Sequence, residues 1–585
     1  MQIVAQPTEI MASALRSCRQ HFIAVAAFSA LLNLLFLVPM LYMLQVYDRV
    51  IPTRGSVTLF FLTLVLLFGL STLALLDYIR SRLLVRASIR LDQQLAGLLL
   101  DTSLARRDRT FDAVARQSMR EFDTLRQALT GPAIIALCDA PWSPIYILVC
   151  LLIHPLLGLL VLAGGVVLGF VAWRNQQATG EPIKQASEAA ARAYASQEQV
   201  LAGAENVRAL GMRQAMVRRH LAERNTMINQ QTGASFAASG YVTASKFLRL
   251  SLQSLALGLG AWLAIGNKIS AGAVFAASFM AGRALQPIEQ LLGSWRSIVQ
   301  AKTAYEKINE LLGAREAEIS LTQLPPPEGR IDVEQISVAN AAGDGAILAN
   351  ISFRVLPGEV IAVVGPSGAG KSTLMRMLAG AGRPERGIIR IDRANVLDWD
   401  PERLAGYIGF LPQDVSLFAG TVKENVSRFQ EGGGAEQNEI DAKAIAAAKS
   451  CFAHEMILAL PNGYDSILGW GGRGLSAGQA QRIGLARALY GEPPIILLDE
   501  PNAHLDAAGE GQLVETLVAL KERKAAVMVV AHRMGVLSAV DKILVLRDGR
   551  VEAFGPRDEI IAAMTKTAAA PIEAPQKEPK RKSGS

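Results

Sequence analysis

A few short groups of residues in the C-terminal half of this chain have the types and spacings needed to handle a nucleoside triphosphate. Gly365-Pro366-Ser367-Gly368-Ala369-Gly370-Lys371-Ser372, followed by Thr373, fits the spacing GxxxxGK[ST]. Such a glycine loop turns successive backbone N–H groups toward one point. With a helix N-terminus behind it, the loop forms an anion site fitted to a β-phosphate. Lys371 is placed to reach the β- and γ-phosphates and the Ser372 hydroxyl to ligate Mg²⁺. The loop therefore predicts binding of ATP or GTP. Further on, Asp499 and Glu500 are adjacent acids. Asp499 can hold Mg²⁺ through water, and Glu500 can orient and deprotonate an attacking water as a general base. Gln413 can sense both metal and water, and His532 can contact a γ-phosphate. Taken singly, an acidic pair after a strand is often incidental and a lone histidine usually structural. Their order behind a phosphate loop is what carries the reading.

These side chains need elements to hold them. The apolar run Val360–Val364 reads as a strand feeding the glycine loop, and residues 373–379 as the helix that follows. Ile495-Ile496-Leu497-Leu498-Asp499 has the continuous apolar pattern of a buried strand, ending in the acids. Val527–Ala531 is a second such run, ending at His532. Leu475-Ser476-Ala477-Gly478-Gln479 opens a helix over 480–489. The expectation is an α/β P-loop NTPase domain over residues 329–562.

The rest of the chain is of another kind. At 585 residues it is too long for a single core. Hydrophobic residues make up 51% and mean hydropathy is +0.26, with the long apolar runs gathered before about residue 300. A helix crossing ~30 Å of hydrocarbon needs ~20 apolar residues. Spans are expected at about 22–46, 56–77, 133–153, 156–173, 247–265 and 271–292. They form an all-α six-helix transmembrane domain over 22–300, preceded by a short N-terminus, 1–21. The turns are read at Tyr47–Gly55, His154-Pro155 and Gly266-Asn267-Lys268. Asp139, Pro141 and Pro144 predict a kinked third span with Asp139 at its cytoplasmic end. Arg283, deep in the sixth, is expected to face a watery cavity or a partner rather than lipid, the alternative being an offset helix that puts Arg283 near the headgroups.

The net charge of +7 could point to nucleic acid, but much of the basic excess flanks apolar spans. Arg16, Arg19, Arg80, Arg82, Arg86, Arg90, Arg174 and Lys184 place the N-terminus, both long connections and the nucleotide domain in the cytoplasm. No nucleic-acid partner is expected; the lipid bilayer is. The four cysteines, Cys18, Cys138, Cys150 and Cys451, form no CxxC pair, so neither a disulfide framework nor a zinc site is indicated. The proline-rich stretch 324–329 closes a linker read over 301–328, and the composition of 563–585 predicts a disordered tail.

The order of these motifs resembles that of the ABC-transporter ATPase: a phosphate loop at 365–372, Gln413, a signature at 475–479, the strand 495–499, Glu500, Asp506 and His532. The signature is the most specific single piece. In that family the signature's Ser476 and the helix N-terminus with Gly478 and Gln479 would complete the ATP site of the opposite subunit, and Asp506, the D-loop residue, is counted among the nucleotide-binding residues. The resemblance implies a half-transporter that works as a homodimer, closing around two ATP molecules and reopening on hydrolysis. It narrows further. Asp139-Ala140-Pro141-Trp142-Ser143-Pro144-Ile145-Tyr146, Leu411–Phe418 and Asp499-Glu500-Pro501-Asn502 look like the ATPase/permease subunits of bacterial type I secretion systems, of the alkaline-protease exporter kind. That family implies a bacterial inner-membrane exporter with a periplasmic adaptor (membrane fusion protein) and an outer-membrane channel. Its cargo is an unfolded secreted protein with a C-terminal signal, such as a protease or lipase, often with glycine-rich calcium repeats. With some twenty residues before the first span, the peptidase-like N-terminal domain of haemolysin-type exporters is not expected.

Three departures stand out. Ala477 stands where the signature more commonly has Gly, and Asn340 where exporters usually stack an aromatic on adenine. Trp470 replaces an acidic residue ahead of the signature. None removes a catalytic group. An exporter of lipid, peptide or drug shares every ATPase residue, and only the third-span and Asp499–Asn502 resemblances argue against it. A non-pumping membrane regulatory ATPase is opposed by the intact Glu500 and His532.

Overall fold

A computed structural model describes residues 7–105, 112–313, 324–340, 345–531 and 533–568. They fall into two compact units, one helical over the described residues up to 313 and one α/β over those from 324 onward.

In the helical unit, five helical stretches are long and apolar enough to cross a membrane: Arg19–Thr53, Ser56–Ala105, Gln117–Ile153, Pro155–Ala202 and Arg213–Ile265. Each holds one expected span, and the second, fourth and fifth run on well past theirs, as the Ala-, Arg- and Gln-rich connections predict. The sixth expected span forms as the helix Ala271–Gly293 but falls short of that apolar composition. Its burial explains why. Thirteen of its residues are buried against other helices, so it meets protein more than lipid and tolerates Arg283, Gln286 and Glu289.

The expected kink is present: the helix Pro132–Asp139 gives way to a 3₁₀ turn at Ala140–Trp142 before Ser143–Ile153 resumes. His154 breaks the chain with extended backbone, and its Nδ1 accepts from Leu156 N at 3.2 Å, starting the fourth span. The first polar turn is shorter than expected. Val46–Val50 stays helical as a π-turn, and the chain reverses only at Arg54 (φ 50°) and Gly55. The π-turn carries Asp48 to the start of the sixth helix, where it accepts from Gly272 N at 2.7 Å and from the Ser270 hydroxyl at 2.5 Å. Tyr47 stacks on Phe275, with ring centroids 4.1 Å apart.

Two boundaries shift. Residues 301–313, expected as linker, belong to the helix Trp295–Gly313. Its Ala304, Ile308, Leu311 and Leu312 pack with Met11, Ala14 and Cys18, and with Leu91, Leu95, Leu99, Phe122 and Leu125, in one buried cluster. Lys307 donates to Glu121 at 2.5 Å across that bundle. The same cluster shows that the short N-terminus is structured, its Met11 and Ala14 lying on a helix, Pro7–Ser17. At the other end, the helix Arg557–Ala568 enters the expected tail; residues 569–585 lie outside the described residues.

The α/β unit is built on a six-stranded sheet. Across it run Arg550–Pro556, Lys542–Arg547, Val360–Val364, Ala526–Val530, Ile495–Asp499 and Ile408–Leu411. The last five are parallel, and Arg550–Pro556 pairs antiparallel at the edge. Such strands are covered on both faces, which is why they read as unbroken apolar runs. All five residues of Ala526–Val530 are fully buried, and separate hydrophobic clusters fill the two faces. A smaller antiparallel sheet, ordered Ala346–Val355, Ile331–Ala339, Arg386–Ile391 and Ala394–Asn395, packs beside it.

Candidate active site

The parallel register sets the site. Val363 pairs with Val530, Val530 with Asp499, and Leu498 with Leu411. The carboxyl ends of four strands therefore align on one edge of the sheet, and the loops leaving that edge carry the predicted residues. Ligands of open parallel sheets bind at such an edge.

The glycine loop leaves Val364. Gly365 is needed because a Cβ there would stand 2.1 Å from the Leu546 carbonyl oxygen of the neighbouring strand. Gly370 has φ +95°, and a Cβ on it would meet Leu348 Cδ2 at 2.6 Å and the Ile347 carbonyl at 2.9 Å. Gly370 caps the helix Lys371–Leu378 without any side-chain acceptor. The first N–H groups of that helix are thus left for an anion. Lys371 is buried, and its Nζ donates to the carbonyls of Gly365 and Pro366 at 2.9 Å each. Burial lowers its pKa, while Glu500 and Asp499 act in the opposite sense. Thr373 is buried in the first turn, Ala369 lies beneath the loop, and Ser367 is exposed.

Gln413 joins the parts. Its Oε1 accepts from the Ser372 hydroxyl at 3.5 Å, and its Nε2 donates to Glu500 Oε2 at 3.2 Å. Glu500 takes the left-handed conformation, φ 51°, as the chain turns off the strand, and its carbonyl accepts from Gln481 Nε2 at 3.4 Å. Asp499 is 3% exposed, and its Oδ1 has no hydrogen-bond partner among the described residues. Burial raises its pKa, with the Ser372 hydroxyl countering. A buried, unpartnered carboxylate oxygen beside a hydroxyl is a donor set that suits a hard divalent cation. Among the described residues no cluster of three His, Cys, Asp or Glu side chains offers a soft-metal alternative.

The structure thus brings Lys371, Ser372, Gln413, Asp499 and Glu500 together. Ser476, Gly478, Gln479 and Asp506 form a separate group. Ser476 caps the helix Ala477–Leu489 in a reciprocal box: its hydroxyl accepts from Gln479 N at 3.2 Å and its N–H donates to Gln479 Oε1 at 2.8 Å. Asp506 caps the helix Ala507–Glu522 through Gly509 N at 2.8 Å and pairs with Arg482 at 3.7 Å. A Cβ on Gly478 would lie 2.9 Å from the His504 carbonyl, so the signature helix and the segment before Asp506 meet at backbone distance. His532 lies outside the described residues.

Two positioning residues escaped the sequence. Asn425, fully buried, receives Phe418 N at 2.9 Å and donates to the carbonyls of Phe418 at 2.9 Å and Thr421 at 3.0 Å, fastening the loop after Gln413. Arg428 (φ 56°) donates to the carbonyls of Ala405 (2.6 Å), Ile408, Arg487 and Ala488. It thereby ties the strand that leads to Gln413 to the end of the signature helix. The one legible cue nearby is Thr421-Val422-Lys423-Glu424, a capping-box spacing that does form.

Comparison with known proteins bears on both halves of the chain. Residues 348–503 match the family model described as ABC transporter, and residues 22–283 the ABC transporter transmembrane region. The chain is 39% identical to the type I secretion system ATP-binding protein PrsD of Rhizobium meliloti (strain 1021), over 94% of both chains. It is 29% identical to the cyclolysin secretion/processing ATP-binding protein CyaB of Bordetella pertussis, over 93% of this chain and 76% of that protein. Among solved structures, a bacterial Atm1-family ABC exporter with ATP bound superposes with a TM-score of 0.78 at 22% identity, covering 95% of this chain and 99% of that one. That likeness speaks for the fold.

Proposed function

We propose how this chain works from the premise that it belongs to the ABC transporter family, among the type I secretion ATP-binding proteins. It is an ATP-driven protein exporter: a multi-pass membrane protein whose nucleotide unit hydrolyses ATP. The finer reading is that two copies form the transporter in a bacterial inner membrane with their nucleotide units in the cytoplasm. A periplasmic adaptor and an outer-membrane channel complete the route, and the cargo is an unfolded protein with a C-terminal signal. The relatives named for secretion, each matching more than nine-tenths of this chain, favour this over a lipid, peptide or drug exporter.

The observation that carries the ATPase reading is the link from Ser372 through Gln413 to Glu500 beside the buried Asp499. In the proposed site the loop N–H groups of 365–370 and Lys371 bind the phosphates. Ser372, Asp499 and Gln413 would hold Mg²⁺, which when bound neutralises charge on the β- and γ-oxygens. Glu500 takes the proton of the attacking water, while Gln413 holds its carboxylate in place. His532 is assigned to the γ-phosphate, and Ser476, Gly478, Gln479 and Asp506 to the ATP held by the second copy.

Glu500→Gln keeps the size of the side chain and the contact to Gln413 but removes the base. The variant should bind ATP and lose turnover by ~10²-fold or more. Persistent hydrolysis would refute the assignment. For the cargo, culture media of strains with and without the gene are compared. At least one large secreted protein should vanish, and an unchanged secretome would count against protein export.

A further inference from the structure

Inside the helical unit, a cavity of about 160 Å³ lies among the first, second, third and sixth spans. Its lining is not what a membrane bundle needs for packing: Asn33, Asp77, Arg80, Asp139, Arg283 and Gln290 all face it. The charges are unevenly partnered. Asp77 accepts from Arg80 NH2 at 2.6 Å, and Asp139 accepts from Arg80 NH1 at 3.2 Å and from Asn33 Nδ2 at 2.8 Å. Both acids are therefore engaged by Arg80, which is buried and keeps its Nε without a partner. The nearby Glu289 pairs with Arg249.

The groups in direct contact with Arg283 are uncharged, with Asp139 and Arg80 elsewhere in the same lining near enough to act on it electrostatically. It lies over the Phe36 ring, 3.1 Å from the centroid, donates to Gln286 Oε1, and has the Tyr146 hydroxyl beside it. Among the described residues no carboxylate pairs with it. A guanidinium has five N–H donors, and desolvated donors without acceptors are costly. In an apolar bundle the ligand that satisfies such a group best is a carboxylate taken in bidentate fashion. The cavity's volume is that of several waters, enough for a carboxyl-bearing side chain. The Asn33 carboxamide is already engaged by Ser29, Asp139 and Tyr146, which leaves Gln290 to pair with an N–H or C=O group of an extended backbone.

We propose that this cavity is a binding site for acidic side chains of the translocating polypeptide, with Arg283 receiving the carboxylate. The proposal rests on the protein-exporter reading for the source of the carboxylate. The second and sixth helices, which carry Arg80 and Arg283, would then register cargo directly.

The test uses the full-length protein in phosphatidylcholine nanodiscs and two labelled peptides, one alternating Gly and Glu, the other Gly and Gln. The Glu peptide should bind about tenfold more tightly, with a preference that shrinks as salt is raised. Arg283→Gln should abolish the preference, and Arg283→Lys should keep part of it. Gln290→Glu, which places a carboxylate in the cavity, should reverse it without removing any cationic group. Equal binding of the two peptides to the wild-type protein overturns the proposal. So does a preference that survives Arg283→Gln, including the case in which that variant loses only retention of added phosphatidylglycerol, which would make the site a lipid-phosphate site. The readout is binding to purified protein, so it fails independently of the secretome comparison.

Discussion

Gly409 offers a severe test of how the signature helix is seated. It lies within the strand Ile408–Leu411, opposite Ile496, where any residue can adopt the backbone conformation. A methyl group there would stand 2.2 Å from the Ala488 carbonyl oxygen and 2.7 Å from Ile496 Cδ1. Ordinary contact begins near 3.4 Å, so the helix end must retreat by about 1 Å, and overpacking of this kind costs ~1–3 kcal/mol. The same carbonyl accepts from Arg428 NH2 at 3.3 Å, and the retreat breaks that bond, for about another 1 kcal/mol. Gly409→Ala should therefore cost the nucleotide unit ~3 kcal/mol, which for a unit of this size lowers its melting temperature by about 6–12 °C. Scanning calorimetry of the full-length protein in nanodiscs measures it, the relevant transition being the one MgATP shifts upward. A shift below about 2 °C would mean that the helix end yields freely and that the close approach does not position the site.

Asp499→Asn should raise the melting temperature of the nucleotide-free protein while abolishing hydrolysis. The folded Asp499 carboxyl has a raised pKa, so its contribution favours folding below the unfolded value and is lost as pH rises; at neutral pH the buried carboxylate opposes folding. The gain should shrink as pH falls toward the ordinary aspartate range, and a variant less stable than wild type at pH 7 contradicts the sign. Arg80→Met should destabilise the helical unit by ~3–5 kcal/mol, because Asp139, 13% exposed at its side chain, loses its cationic partner. The double variant Arg80→Met/Asp139→Asn should recover much of that in thermal scans; no recovery would mean the loss comes from packing.

What could be read in the sequence follows from the range of the physics. The phosphate loop was legible because its residues form one contiguous spacing with a left-handed turn at Gly370, although the close approach that also requires glycine at Gly365 is to Leu546 on another strand. The third-span kink was legible because proline removes a donor. Asp48 was not, since it caps a helix 224 residues further on, and a polar triplet between apolar runs reads as a turn. Arg428 carries no local pattern; its role is fixed by carbonyls from two distant segments. The sixth span was read from its length and apolar residues, but protein surrounds it more than lipid does, and that is a property of the bundle. Residues 301–313 fall to the linker because only the proline-rich 324–329 marks a boundary in the sequence; the apolar face of this segment acquires meaning only with Leu91, Leu95 and Phe122 on the other side.

One relation concerns two copies of the chain. Two helix starts bear on this: Gly370 before Lys371–Leu378, which has no side-chain cap, and the exposed Ser476 before Ala477–Leu489, whose box occupies Ser476 N and Gln479 N. Among the described residues no hydrogen bond joins 475–479 to 365–372. If each ATP lies between the phosphate loop of one copy and the signature of the other, two inactive chains can complement. Lys371→Ala and Ser476→Asp should each abolish hydrolysis alone, the second through a carboxylate facing the phosphates while the cap survives. Co-expressed in equal amounts, they give mixed dimers in half the population, each with one site carrying both lesions and one carrying neither. Activity should then return to about a quarter of wild type, for a two-fold symmetric dimer whose sites act independently. If each site were built within one chain, every site would carry a lesion and the mixture would stay inactive. Differently tagged copies, purified in tandem so that only mixed dimers are assayed, separate the two outcomes.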